Sequence, residues 1–154
     1  MTAHPILYDP DCGFCQVCVA VVLRWDRHGR LRPVALGTEE GDALLAGMPA
    51  DRQMASWHLV DSGWCGNVAE NATHTHHLPE GAGTVWSAGA AFSPLFRLLP
   101  GGAPLARLAD RFPRAAECGY RWVAERRTMF GKALPAAANR WADRVISESR
   151  RESR

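Results

Sequence analysis

The sequence contains no apolar run approaching the roughly 20 residues that a transmembrane helix needs. The first segment that predicts a strand begins at residue 5, which leaves no room for a secretory signal peptide. We therefore expect a cytoplasmic location and no association with membranes. Cysteines in the cytoplasm are normally reduced, so a close pair there indicates catalysis or metal binding rather than a structural disulfide.

A strong net charge is also missing, since the formal charge at pH 7 is +2. The distribution is less even: residues 1–105 carry 6 basic and 10 acidic side chains, whereas residues 106–154 carry 12 basic and 6 acidic ones. A basic half could attract nucleic acid or acidic partners. No nucleic-acid-binding motif accompanies it, so we interpret the arginines as solvated helix faces and do not expect nucleic acid as a partner.

What the sequence does have is a cluster of cysteines. Three of its five cysteines, Cys12, Cys15 and Cys18, lie three residues apart in the run YDPDCGFCQVC. The apolar residues 5–8 before them predict a short buried strand. The nearly uniform apolar run at residues 17–23 is too long for another strand and predicts a buried helix. Cys12 is therefore expected at the N-terminus of this helix.

That position has chemical consequences. The thiolate is the nucleophilic form of cysteine, and the unpaired N–H groups at a helix start favour an anion there. A cysteine so placed can have its pKa lowered from about 8.5 to about 7 or below. Residues three apart on a helix have Cα atoms about 5 Å apart, within reach of a disulfide, whereas Cys12 and Cys18 would lie about 9 Å apart. We predict a Cys12–Cys15 redox pair, with Cys18 a bystander or a second-choice partner of Cys15.

Roles within this site follow from position. Cys12 should be the attacking thiol, and Cys15, one turn further along the helix, the resolving thiol. Asp11 is the candidate N-cap of the helix. Asp9 is then free to accept the proton of Cys15 during resolution.

The chain resembles the DCC family of thiol-disulfide oxidoreductases. That family is named for an Asp-x-x-Cys-x-x-Cys signature, matched here by Asp9, Cys12 and Cys15. Later segments of the family are matched in order by the runs RWDRHGRLRPVAL, SWHLVDSG, VWSAGAAFSPLFRLLPG and YRWVAERRTMFGKALP. The resemblance covers about residues 5–134. Pro10 stands where the family usually has Gly, and the third cysteine and residues 64–82 look like additions.

The resemblance implies an enzyme of dithiol–disulfide exchange with a thioredoxin-like fold and no cofactor. Its partners would be a disulfide-containing protein or a small-molecule thiol as substrate, and a reducing partner that recycles the dithiol.

The patterns beyond the first helix fit an α/β fold, a thioredoxin-like mixed sheet with flanking helices and a helical C-terminal extension. A second strand is predicted at residues 31–36, which makes a βαβ unit with parallel strands. A helix at 39–48 and further strands at 56–61 and 84–87 follow. Thioredoxins place a cis-proline before the third strand, but Pro49 lies too early for this role, which weakens any expectation of thioredoxin-like peptide binding.

The remainder is predicted to be helical. Helices are expected at residues 87–99, 105–112 and 115–130, and Cys118 on the last of them is interpreted as a small core residue. After Pro135 a short amphipathic segment runs to residue 146 and could pack back or meet a partner. The charged residues 147–154 predict a disordered tail. We divide the chain into a thioredoxin-like domain at 1–134 and a C-terminal segment at 135–154.

A metal or iron–sulfur module is the alternative function. The spacing C-x2-C-x2-C occurs in bacterial ferredoxins, where a fourth cysteine follows, but Val22 stands at that position here. Cys65 or Cys118 would have to complete the site from afar. The histidines His74, His76 and His77 could join Cys65, yet they lack the i, i+4 spacing of a helical metal site. We interpret residues 64–82 as a polar surface loop.

Overall fold

The computed structural model describes residues 3–61, 75–77 and 84–152. These residues form a mixed sheet flanked by helices on both faces. The sheet order is β2-β1-β3-β5-β4. Its strands are β1 His4–Tyr8, β2 Leu31–Ala35, β3 His58–Asp61, β4 Thr75–His77 and β5 Thr84–Ser87.

Seven α-helices and one 3₁₀ turn connect and flank these strands. The turn is Ala88–Ala91. The helices are α1 Gly13–Trp25, α2 Glu39–Leu44, α3 Ala50–Ala55, α4 Phe92–Leu98, α5 Ala103–Arg111, α6 Pro113–Ala133 and α7 Ala136–Glu152.

The first βαβ unit is confirmed. Strands β1 and β2 run parallel in a register that pairs His4 with Leu31 and Tyr8 with Ala35. Helix α1 joins them, and the Oδ2 atom of Asp26 accepts the backbone N–H of Leu31 at 2.7 Å, which fixes the return of the chain into β2. Strand β3 then pairs antiparallel with β1, and β5 pairs antiparallel with β3. This arrangement is the expected thioredoxin-like fold.

The two faces of the sheet carry separate hydrophobic clusters because successive side chains of a strand point to opposite faces. On what we term the α1 face, strand residues pack against α1, α4 and α7; they include Ile6, Tyr8, Leu59 and Trp86. On the α2 face, a smaller cluster covers the other side of the same strands; it comprises Leu7, Val34, Leu36, Leu45, Met48, Val60 and Val85.

Helix α7 belongs to the α1 face. Ala142, Val145 and Ile146 are buried in its cluster, so the amphipathic segment packs back on the sheet. The predicted disordered tail is wrong, since α7 continues to Glu152. The division of the chain at residue 134 stays a prediction. Among the described residues, none of the helices is both long and apolar enough to cross a membrane.

Other boundaries differ from the sequence prediction for local reasons. Helix α2 ends at Leu44 rather than at residue 48 because the chain turns through Gly47, whose φ is +92°. The helix expected from residue 87 begins as a 3₁₀ turn, with Ala88 at a φ of +54°. The expected polar loop is wrong in part, since residues 75–77 form β4 and pair with β5. Cys65 and His74 of that segment lie outside the described residues.

Cys118 is a further correction. It was expected in the core, but on α6 it is exposed, as is its neighbour Trp122. The i, i+4 spacing does place both on one helix face, and that face points to solvent.

Candidate functional site

Cys12 occupies the N-cap of α1. Its backbone is extended, with φ −100° and ψ +98°, and its Sγ atom accepts the backbone N–H of Cys15 at 3.3 Å. The expectation that Asp11 caps the helix is wrong. Asp11 is exposed one residue too early, and its own backbone N–H is donated to Oδ1 of Asp9 at 2.9 Å.

The loop before Cys12 is held by its own backbone. The N–H of Cys12 reaches the carbonyl of Asp9 at 3.4 Å, and the N–H of Gln16 donates to the carbonyl of Cys12 at 3.0 Å. The side-chain amide of Gln16 also donates to the carbonyl of Pro10. The turn therefore brings Asp9 back beside the start of α1 and orients the Cys12 sulfur toward the free N–H groups of the helix.

Gly13 allows α7 to approach this point. A Cβ atom at this position would lie 3.1 Å from Oδ1 of Asn139, a tighter contact than side chains usually make. The small residue between the two cysteines thus permits close packing of the C-terminal helix, which the sequence pattern did not reveal.

Cys15 is half-buried and its thiol holds its proton strongly. Burial raises the pKa of Cys15 well above its ordinary value, and the hydrogen bond and the negative charge of Cys12 raise it further. The Arg127 guanidinium lowers this pKa and the Asp9 carboxylate raises it, both by smaller amounts. Cys15 therefore remains a thiol near neutral pH.

Arg127 of α6 completes the charged part of the site. Its Nη1 atom lies 4.0 Å from Oδ2 of Asp9, and both side chains are partly buried. Sequence reasoning did not single out Arg127, although it falls in the run YRWVAERRTMFGKALP that resembled the family. The i, i+4 periodicity of α6 could place it on some buried face, but could not indicate that this face meets the start of α1.

A long apolar groove opens beside the cysteines. Its volume is about 720 Å³, and it lies between α1, the segment before β3, and helices α4 to α6. Its walls are mostly aromatic and aliphatic and include Phe14, Val19, Trp57, Phe92, Phe96, Leu108, Phe112, Tyr120 and Val123. Asp9, Cys15, Cys18 and Arg127 also line it.

A family model described as DCC1-like thiol-disulfide oxidoreductase matches residues 6–133. The chain belongs to this family. No curated protein and no solved structure gives a significant match. The resemblance noted over residues 5–134 is confirmed, and the matched range contains the DCC signature residues Asp9, Cys12 and Cys15.

Membership of the DCC1-like family implies thiol–disulfide exchange, a reaction that needs a substrate and a reductant. The alternative of a metal module finds no support in the described residues, among which no group of three or more His, Cys, Asp or Glu side chains could hold a metal ion. Cys12, Cys15 and Cys18 follow one another along the start of α1, and Cys118 is exposed on α6.

Two further side chains line the groove: Tyr120, which the sequence did not indicate, and Cys18, which was expected to be a bystander or a second-choice partner of Cys15. Tyr120 lines the groove, and burial raises its pKa to about 12 despite a hydrogen bond from the Trp57 backbone and the positive charge of Arg127. Cys18 also lies in the groove wall. Its residue surface is exposed, but desolvation of its sulfur by the surrounding protein, and then the charge of Cys12, raise its pKa to about 11. The positions of these residues in the sequence do not indicate that they line one groove, because the groove depends on how α5 and α6 pack over α1.

Proposed function

We propose that the protein is a dithiol–disulfide oxidoreductase in which Cys12 attacks and Cys15 resolves. One observation carries the proposal: the Cys12 sulfur caps α1 and accepts the N–H of Cys15 at 3.3 Å, while the Cys15 thiol is held in its protonated form. The Cys12 sulfur thus has a hydrogen-bond donor, whereas the Cys15 sulfur keeps its proton until the second step. This is the asymmetry that sequential thiol–disulfide exchange requires.

In the first step the Cys12 thiolate attacks one sulfur of the substrate disulfide. A Cys12–substrate disulfide forms, the substrate S–S bond breaks, and its other half leaves as a thiolate that takes a proton from solvent. The N–H of Cys15 and the dipole of α1 stabilise negative charge at Cys12 before the attack.

In the second step Cys15 loses its proton and attacks the Cys12 sulfur. The second substrate thiol leaves, and the two electrons of the dithiol have passed to the substrate. In this proposal Asp9 accepts the proton and Arg127 favours the thiolate, which is supported by the presence of both beside Cys15 in the groove. Asp11, which sequence reasoning counted among the catalytic residues, contributes its backbone N–H to Asp9.

The oxidised protein then carries a Cys12–Cys15 disulfide, and a dithiol reductant must return it to the starting state. Cys15 reaches Cys12 without any separate encounter, so resolution outcompetes external thiols. The cytoplasm, expected from the sequence, stays a prediction for where this cycle runs.

Serine variants test the roles. Mixed briefly with bis(2-hydroxyethyl) disulfide, Cys12→Ser should give only slow adducts on its exposed thiols, whereas Cys15→Ser should rapidly hold one substrate half on Cys12, seen as a mass increase that added reductant removes. Cys118→Ser is the matched control, since this thiol is exposed and outside the site. A main Cys15–Cys18 disulfide in the mildly oxidised wild-type protein would show the roles to be wrong.

A further inference from the structure

We propose that the substrate is a small, uncharged, apolar organic disulfide held in the groove beside Cys15. This inference deepens the proposed function and rests on it. It names the class of molecule whose disulfide bond the dithiol reduces.

The size of the groove fits such a ligand. Its volume of about 720 Å³ lies within the range of about 300–1,000 Å³ that is usual for small-molecule sites. The rim is unusually apolar for a surface: Leu108 is 56% and Phe112 54% exposed, and both line the groove. Deeper in the groove, Phe92 lies 5.6 Å from Trp57 and 6.0 Å from Phe96, ring centroid to ring centroid. Aromatic walls of this kind favour flat apolar groups.

The charge of the groove argues against a charged ligand. Among the described residues that line it, Asp9 and Arg127 are the only charged side chains, and they have opposite sign and lie 4.0 Å apart. The groove therefore offers no net charge to a ligand. Both charges lie near Cys15, whose pKa each of them shifts, so the polar end of the groove lies at Cys15. The backbone N–H of Cys15 in turn reaches the Cys12 sulfur at 3.3 Å.

Backbone pairing argues against an extended peptide. Trp57 immediately precedes β3 and lines the groove. Its carbonyl accepts the N–H of Ala88 at 3.3 Å, and its backbone also bonds to the Tyr120 hydroxyl. A peptide bound as an added strand needs free backbone groups for its affinity. With the Trp57 groups engaged inside the protein, recognition depends on apolar contact instead.

The reaction in this site balances. One apolar disulfide R–S–S–R and the two thiols of Cys12 and Cys15 give two R–SH molecules and one Cys12–Cys15 disulfide. The S–S bond of the substrate breaks, the protein S–S bond forms, and the two thiol protons end on the two products. The apolar R groups lie along the groove, so the substrate disulfide is presented at its polar end.

The test compares two uncharged substrates in single-turnover reactions of the reduced protein. The rate constants for dibenzyl disulfide and for bis(2-hydroxyethyl) disulfide are each divided by the rate of the same compound with free dithiothreitol, which removes intrinsic reactivity. We expect the quotient for dibenzyl disulfide to exceed that for the hydroxyethyl compound by about tenfold or more, since one well-buried ring is worth that much in affinity.

Gly119 on α6 provides a variant that fills the groove. It lines the groove, and a Cβ added there would meet no heavy atom within 4 Å. Gly119→Leu should therefore reduce the dibenzyl preference at least about fivefold, by occluding space that an aromatic group needs. Ala133→Leu is the matched control, because it adds the same side chain at an exposed position of the same helix outside the groove. Leu108→Gln, on the α5 wall, gives a second route to the same loss should Gly119→Leu fold poorly.

The outcomes separate this proposal from the proposed function. If bis(2-hydroxyethyl) disulfide oxidises the Cys12–Cys15 pair but dibenzyl disulfide shows no preference, the substrate class is wrong and the redox function stands. An unstructured peptide disulfide with an equal or larger quotient would assign the groove to peptides and overturn the proposal. The unreactive carbon analogue 1,4-diphenylbutane should compete with dibenzyl disulfide in the wild-type protein; failure to compete also overturns it. If no disulfide oxidises the pair, the proposed function itself fails.

Discussion

The α2 face of the sheet is closed over its core, whereas the α1 face is left open along one side. On the α2 face, Leu7, Leu45 and Val85 are each fully buried, and the buried His58 bonds to Ser87 Oγ at 2.7 Å and to the Gln53 carbonyl at 2.9 Å. On the α1 face, α1 and α7 pack tightly, but α5 and α6 stand away from the sheet and leave the apolar groove.

The difference indicates that the α2 face contributes mainly to stability and the α1 face to binding and chemistry. Buried groups on the α2 face that can hydrogen-bond have their partners, as a structural core requires. The α1 face retains exposed leucine and phenylalanine side chains in the groove that Cys15 also lines. Exposed apolar surface of this extent usually marks a binding site rather than incomplete folding. Stability and chemistry should therefore respond separately to substitutions on the two faces.

The strongest test removes the attacking sulfur. Cys12→Ser and Cys12→Ala should both lose the rapid reaction with disulfides, because neither side chain can form the S–S bond. The two should differ in stability, since serine can accept the N–H of Cys15 as an N-cap and alanine cannot, a difference of about 1 kcal/mol. Mass spectrometry after incubation with bis(2-hydroxyethyl) disulfide and urea unfolding together check this. Equal stabilities would mean that the cap contributes nothing to α1.

The opposite result is expected on the α2 face. Leu45→Ala removes a side chain that is 0% exposed and should lower the free energy of unfolding by about 2–5 kcal/mol. The rate constant of dithiol oxidation per folded molecule should stay unchanged at a temperature where the variant is folded. Circular dichroism during urea unfolding gives the first quantity and stopped-flow kinetics the second. A slower reaction in the folded variant would show that the two faces are coupled.

Much of the fold could be predicted from the sequence because it depends on local pattern. The apolar run of α1, the strand alternation and the βαβ unit were all visible, as was the redox spacing of Cys12 and Cys15. The N-terminal boundary of α1 was predicted to within one residue, yet the cap was assigned to Asp11. Aspartate is the commoner cap, but here the turn uses Asp9 and Asp11 with each other and leaves the position to Cys12.

What the sequence could not predict depends on contacts between distant segments. Arg127 lies more than a hundred residues from Asp9, and no periodicity links the two. The groove arises from the distance between α6 and α1, which no single helix encodes. Cys118 was assigned to the core because free cysteines are usually buried, but the face of α6 that it shares with Trp122 is exposed to solvent. The charges of residues 147–154 predicted a disordered tail, whereas α7 continues from the docked amphipathic segment to Glu152.

A smaller effect is expected from the charge of Arg127. Its guanidinium lowers the pKa of Cys15, so Arg127→Gln should raise that pKa further and leave less thiolate at any given pH. Release of the second substrate thiol should slow about threefold near pH 8, and its pH profile should move to higher pH, as expected for loss of one partly screened charge. Arg127→Lys keeps the charge and should lie between the two.

Separate time courses for the first and second thiol products check this prediction. The first product, released by attack of Cys12, should be affected less than the second. If Arg127→Lys slows the second step as much as Arg127→Gln does, the charge is not the cause. In that case the packing of the arginine side chain in the groove wall would explain the loss.

The smallest effect concerns Cys18 and alkaline pH. Its pKa is raised in the folded protein from an ordinary value of 9.0 to about 11, first by burial and then by Cys12. The folded state therefore holds this proton more tightly than the unfolded chain does. The resulting stabilisation is fully present below pH 9 and is lost as pH rises toward about 11. Cys15, Tyr8 and Tyr120 have pKa shifts of the same sign, so the wild-type protein should lose stability over this range in any case.

In Cys18→Ala the decline in unfolding free energy should be shallower, measured by urea unfolding of the reduced proteins at pH 8, 9 and 10. Parallel curves for the two proteins would mean that solvent reaches the Cys18 sulfur freely and that the groove wall does not hold its proton.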